Sequence, residues 1–315
     1  MTVLVNSPAA AMEAEPRLPR RRRKRPVSAG VRPPAWFVLP AILLYALVVL
    51  WPNAQGIFYS FTDWNGRRLD WAFEGFANYA EVLSDPKSLL AITNTFVLTI
   101  IVSLGQNIVG LLLALGLNTK VKSRYVLRLV FFLPVVLTPI VAGYLWKYLM
   151  TPTGTINNLL DAIGLGALQQ NWLGNPNIVL YSICAVIIWQ GAGYSMVIYL
   201  AGLQAVPSEA LEAAAIDGAG PIRRTWSITL PLINGAIVVN LLISVIGNLK
   251  QFDTVFSMTG GGPSGASETM ATIIYKTAFV YLQFPHALAQ GVMLTVLVGV
   301  IAFAQFRLTQ RKALA

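Results

Sequence analysis

The sequence predicts an all-α membrane protein, a bundle of six transmembrane helices, and three observations predict it. Of 315 residues, 56% are hydrophobic and only 11% are charged. A soluble domain of that length carries about a quarter charged residues to cover its water-facing surface. The mean hydropathy is +0.63. The apolar residues gather into six continuous, charge-poor runs, each long enough for the roughly 20 residues that cross a bilayer as a helix. A spanning helix satisfies its own backbone hydrogen bonds in lipid. A barrel would show alternation instead of continuous runs.

Residues 1–34 come first, polar, Pro-rich and strongly basic, with Arg or Lys at every position from 20 to 25. They read as a disordered cytoplasmic tail. The apolar run behind them is too long for the core of a cleaved signal peptide, and no small-residue cleavage site closes it. The basic run could hold anionic lipid at the inner leaflet, but a plain topology anchor is the simpler reading. A membrane domain over 35–310 follows, with spans at 36–58, 90–118, 126–150, 177–203, 231–251 and 285–306. Pro134 and Pro139 predict a kink in the third span. Gly105, Gly110 and Gly116 read as close-packing positions in the second.

Charge sets the orientation. With the N-terminus inside, 17 of the 23 Lys and Arg residues lie on the inner side, and this bias puts both termini in the cytoplasm. The net charge of +10 is therefore a topology signal and not a nucleic-acid footprint. The outer loops are 59–89, 151–176 and 252–284, the last of them Gly-rich. Cys184 is the lone cysteine and His286 the lone histidine, which excludes a disulfide framework and a multi-histidine metal site. His286 receives no role. Asp253 is read as a helix-end charge. No G-x4-G-K-[ST] motif is present, so the chain does not look like a P-loop ATPase.

The most informative stretch is the inner loop 205–231. Pro207-Ser208-Glu209 forms a helix start, with Ser208 able to cap and Glu209 favouring the positive end of the dipole. Ala213 to Ala215 are small and helix-favouring. Asp217-Gly218 can turn the chain. Pro221 suits the first turn of a second helix, and Pro231 marks the start of the next span. Two short helices meeting at Gly218 are predicted. Glu212 offers a carboxylate to a partner, and Arg223 and Arg224 offer two cations.

Glu212-Ala213-Ala214, Gly218 and Ile228-Thr229-Leu230-Pro231 together spell EAA-x3-G-x9-I-x-L-P. This pattern resembles the cytoplasmic coupling loop of permease subunits in bacterial ABC importers. Phe76-Ala77-Asn78-Tyr79, Thr259-Gly260-Gly261-Gly262-Pro263 and Gly202-Leu203-Gln204-Ala205-Val206-Pro207 resemble three further segments of the MalF-type sugar permeases. The likeness covers roughly residues 35–310, without the extra N-terminal helices and large outer insertion of the maltose subunit. It implies a heterodimer with a second permease subunit, two copies of a cytoplasmic ABC ATPase and an extracytoplasmic solute-binding protein, all in a bacterial cytoplasmic membrane with its lipids. ATP and Mg would sit on the partner ATPase, with no cofactor and no catalytic residue in this chain. Glu212, Ala213, Ala214, Asp217, Gly218, Arg223 and Arg224 would couple to the ATPase.

Polar or aromatic groups inside spans are costly against lipid and so mark a pathway. Trp189, Gln190, Tyr194, Ser195, Asn240, Ser244, Asn248 and Gln251 are such groups. The resemblance carries the sugar-contacting positions onto Ile187, Gly191, Tyr194, Ser244, Gly247, Asn248 and Gln251. Gly247 stands where the family has an aromatic residue and Gln251 where it has Asn. The same groups could instead bond helix to helix. Importers of glycerol phosphate and other non-sugar solutes share every motif quoted, although no mid-depth Lys or Arg awaits an anion. An autonomous channel or membrane enzyme would usually carry intramembrane acids or a metal-type cluster, and the six spans carry neither.

Overall fold

The computed structural model describes residues 35–67, 70–119 and 122–313; the basic tail 1–34 and Lys120 lie outside them. The chain falls into two compact units, one ending at Pro52 and one beginning at Asn53. Helix α1, Trp36–Tyr59, has residues in both. Its part in the first unit opens with a 3-10 turn over Ala35–Val38. Pro40 follows in the first α-helical turn, where its missing N–H costs nothing. The helix then widens to a π-turn over Ala46–Leu50, with the Trp51 N–H bonded to the Ala46 carbonyl.

The second unit continues with α2 (Ala77–Ser84), α3 (Pro86–Leu117), α4 (Arg124–Val136), α5 (Pro139–Leu149) and α6 (Thr155–Ala162). Next come α7 (Val179–Gln204), α8 (Ser208–Ile216), α9 (Pro221–Leu232), α10 (Asn234–Leu249), α11 (Asp253–Met258), α12 (Met270–Val280) and α13 (Phe284–Ala313). Among the described residues, the only β feature is an isolated bridge between Thr62 and Phe73.

The centre of this unit is the pair α3 and α7, which run in the same direction. Leu98 and Val102 of α3 share one core cluster with Val179, Ile183 and Ile187 at the start of α7. Ala114 and Leu117 share another with Tyr199, Leu200 and Leu203 at its end. Gly110 permits the close approach: a Cβ there would come within 2.9 Å of the Met196 nitrogen and 3.0 Å of the Ala192 carbonyl. A Cβ on Gly105 would strike Ile188, whereas one on Gly116 would meet nothing within 4 Å among the described residues.

Among the described residues, four helices are long and apolar enough to span: α1, α3, α7 and α13. The third and fifth expected spans are bent pairs. Between α4 and α5 the axis turns by 97°, so the chain is broken there and not merely kinked. Pro139 has no N–H, and it forces Thr138 before it into extended backbone at ψ 144°. The Leu137 carbonyl, stranded by the break, accepts a 2.8 Å bond from the Gln190 amide of α7. Between α9 and α10 the turn is 69°, at Ile233. The fifth span therefore begins at Asn234, after Pro231, and the helix before it starts as far back as Pro221.

The segments 151–176 and 252–284, read as loops, contain α6, α11 and α12. Asn94 of α3 holds the Gly-rich segment, its amide donating to the carbonyls of Gly265, Ala266 and Glu268 at 3.3, 3.3 and 3.0 Å. Asn78, buried, does the same for the end of α1, donating to the Ser60 and Thr62 carbonyls at 3.0 Å each.

Candidate functional site

The loop 205–232 folds as two short helices about a turn. Pro207, in extended backbone, takes the N-cap position of α8 and Ser208 is its first residue, so the expected Ser208 cap is displaced by one position. Gly218 takes φ +76°, a conformation that costs glycine little. The Ala219 N–H reaches the Ala214 carbonyl at 2.9 Å, and the Gly218 N–H reaches Ala215 at 3.1 Å. These two bonds close the last turn of α8 as a Schellman motif. Pro221 opens α9, which widens to a π-turn over Thr225–Thr229. Ala214 is buried. Glu212, Ala213, Asp217, Gly218 and Arg223 are exposed, and Arg224 is half-buried. Beside them Ile216 is 87% exposed, Ile222 76% and Trp226 69%. The elbow thus presents apolar knobs flanked by the acids Glu212 and Asp217 and the cations Arg223 and Arg224.

The polar groups expected along the pathway divide into two sets. Asn107 of α3, which sequence reading passed over, is the hub of a buried seam between α3, α7 and α10. Its amide donates to the Ser103 carbonyl at 2.7 Å and the Ser244 hydroxyl at 2.9 Å. Its carbonyl oxygen accepts from the Asn240 amide at 2.9 Å and from the Tyr199 hydroxyl. Asn248 donates to the Ser103 hydroxyl at 3.0 Å. Ser195 lies 3.5 Å from Asn240. Ser244 and Asn248 are therefore engaged between helices in this conformation. Gly191 packs on Gln106, where a Cβ would come within 2.4 Å of the amide oxygen. Tyr194 and Gly247 are exposed. Gln251 donates to Thr254 at 2.9 Å, just beyond α10. Trp189 stacks edge-on against Trp146, ring centres 5.3 Å apart. Asp253 begins α11, as a helix-end charge does.

Four groups that sequence reading left without a role meet two by two off the seam. The Lys276 ammonium bonds the Glu268 carboxylate, and His286 Nε2 stands 3.0 Å from Glu81 Oε2. Neither pair has a local spacing that a sequence would show.

An all-helical unit with several apolar spans, two of them broken, and an exposed elbow between spans defines a membrane transport protein. The chain belongs to the family of binding-protein-dependent transport system inner membrane components, whose model matches residues 106–314. It is the transmembrane permease of an ABC importer, and ATP hydrolysis belongs to a separate subunit. It is 32% identical over 279 residues to the multiple sugar-binding transport system permease protein MsmF of Streptococcus mutans, covering 87% of this chain and 94% of that protein. It is 31% identical over 281 residues to the sn-glycerol-3-phosphate transport system permease protein UgpA of Agrobacterium fabrum, covering 89% and 95%. The fold matches a chain of a bacterial ABC transporter involved in the import of the acidic polysaccharide alginate, with a TM-score of 0.78 at 24% identity over 88% of this chain and 94% of that one.

Proposed function

We propose that this permease moves a sugar or oligosaccharide inward by alternating access, in a heterodimer with a second permease subunit. Two copies of a cytoplasmic ATPase, holding ATP and Mg2+, serve the pair, one of them docking on this elbow, and an extracytoplasmic binding protein delivers the solute. The elbow carries this reading. Its exposed Ile216, Ile222 and Trp226 form an apolar patch that a soluble end would not leave bare. Glu212, Arg223 and Arg224 give that patch its charge partners, while Ala213, Ala214, Asp217 and Gly218 set its shape. The Lys and Arg bias puts this elbow and both termini in the cytoplasm.

Along the pathway we assign Gly191, Tyr194, Ser244, Gly247, Asn248 and Gln251. The amides and hydroxyls of the seam exchange their interhelix partners for substrate hydroxyls when the helices part. Neutral groups of this kind suit a neutral polyol. The likeness to UgpA favours glycerol 3-phosphate as the second reading.

The test is the ATPase rate of the purified assembly in lipid, with binding protein and a panel of neutral sugars plus glycerol 3-phosphate. Stimulation by one sugar, only with binding protein present, is the expected result. Stimulation by glycerol 3-phosphate alone would replace the sugar with the phosphate. Indifference to every solute would sink the importer assignment of substrate class.

A further inference from the structure

Lys120, Lys122, Arg124 and Arg128 put four cations into nine residues, and no Asp or Glu occurs between Lys87 and Asp161. A topology signal needs only that charge. The structure adds placement. Arg124 and Arg128 both lie over the ring of Tyr125, their guanidinium carbons 4.9 and 5.8 Å from its centre. Arg124 also donates to the Tyr125 hydroxyl at 3.0 Å, and Arg128 donates to the Leu117 carbonyl at the end of α3, again at 3.0 Å. Each guanidinium is thus held in place by a ring and one hydrogen bond. A guanidinium has five N–H donors, and among the described residues no other side-chain bond engages either of them. Lys122, at the turn before α4, is exposed.

Nothing on this chain neutralises the group. Among the described residues the ion pairs are Lys276 with Glu268 and His286 with Glu81, and neither involves these cations. Two like charges fixed on one ring repel each other unless an anion joins them. A planar, pre-oriented guanidinium suits a phosphate in particular, because it can present two parallel N–H groups.

The surroundings say which phosphate. Tyr125 is 66% exposed, and Val126, Leu129 and Leu133, on the same side of α4, are exposed as well. The opposite side is the packed one: Leu127 lies against the cluster that holds Leu203, as does Val206 at the start of the elbow. The two guanidiniums therefore sit at the elbow's end of the unit, the inner leaflet in the orientation proposed above, with a bare apolar helix face running away from them. A partner helix could cover that face, but it would also have to bring a carboxylate to the edge of the bilayer. An anionic phospholipid already carries its charge at that depth, above chains that fit the apolar face.

We infer that Arg124 and Arg128, with Lys122 beside them, bind the phosphate of an anionic phospholipid, whose chains lie along Val126, Leu129 and Leu133. The site rests on no reading of the solute. It is separate from the pathway seam and from the basic run at residues 20–25.

The experiment uses the complete assembly in nanodiscs of equimolar phosphatidylglycerol and phosphatidylcholine, with a photoactivatable benzophenone amino acid in place of Leu129. Both leaflets hold both lipids, so the outcome does not depend on the orientation. Mass spectrometry of the irradiated subunit should show phosphatidylglycerol attached about fivefold more often than phosphatidylcholine. Arg124→Gln together with Arg128→Gln should bring the two lipids to equality. Lys147→Gln, which removes an exposed cation from the last turn of α5, should leave the excess as it was. Should the double variant fail to assemble, Tyr125→Leu decides: it loosens both guanidiniums at an exposed position and should at least halve the excess. Equal attachment of the two lipids in the parent overturns the proposal, and so does an excess that survives the substitutions at Arg124 and Arg128 or at Tyr125. Crosslinks to the second permease subunit in place of lipid overturn it in favour of a protein seam.

Discussion

At the scale of single residues, Asn107 shows how much rests on one amide. It serves four partners on three helices. Hydrogen bonds between membrane helices average about 0.6 kcal/mol each, so Asn107→Leu should cost about 2 kcal/mol in unfolding experiments in detergent. Asn248 offers the contrast, because it bonds only Ser103 in this seam. Asn248→Ala should leave stability almost unchanged and basal ATPase intact, yet shift the solute concentration for half-maximal transport. Unchanged transport across the sugar panel would reduce Asn248 to a packing residue.

At the scale of elements, α3 depends on its cap. The Asp85 carboxylate accepts from the N–H groups of Lys87 and Ser88 at 3.2 and 3.0 Å and from the Ser88 hydroxyl at 2.8 Å. Burial alone would push its pKa up. The Ser88 hydroxyl, the two N–H groups and the charge of Lys87 outweigh burial and hold the carboxyl below its ordinary value. A carboxyl depressed in the fold stabilises above its unfolded pKa, near 4, and that stabilisation is lost as pH falls through the folded value. Asp85→Ala should therefore cost about 1 kcal/mol at pH 7, and the gap between variant and parent should shrink in melts run near pH 3.

The four unbroken spans could be read from sequence, because about 20 continuous apolar residues announce themselves whatever surrounds them. The elbow was legible for a different reason: Pro207, Gly218 and Pro221 act on their own backbones, and local rules find them. The breaks were less so. Pro134 and Pro139 signalled a kink, but a 97° turn in lipid needs a partner for the Leu137 carbonyl, and that partner, Gln190, is 53 residues away. α11 and α12 were hidden in a Gly-rich stretch, because their stability comes from packing on α5 and α3. Gly143 allows such contact, since a Cβ there would meet the Ser257 hydroxyl oxygen of α11. The pathway residues were recognisable as costly polar groups, but which of them face one another is a matter of three helices at once.

For the molecule as a whole, the proposed motor and the solute path are joined by α8, α9 and the 69° bend into α10. In the mechanism proposed above, a push on the elbow would be carried along α10 to Asn240, Ser244 and Asn248 in the seam. Glu212→Lys inverts one charge on the exposed face of α8 without touching the core. The variant should insert and fold, but solute should no longer stimulate ATP hydrolysis. Normal transport by that variant would remove Glu212 from the docking surface.

The broken third span has a consequence for biogenesis. A helix end left inside hydrocarbon exposes backbone groups that lipid cannot bond, at several kcal/mol each. The Leu137 carbonyl is such a group until the Gln190 amide arrives. We predict that the α4–α5 segment inserts poorly on its own and is sheltered by the insertion machinery until α7 has been synthesised. Ribosome-stalled chains ending near residue 176 should leave α4–α5 crosslinked to that machinery. Chains long enough to expose α7 should release it to the membrane, so that the third and fourth spans enter the bilayer as one cargo.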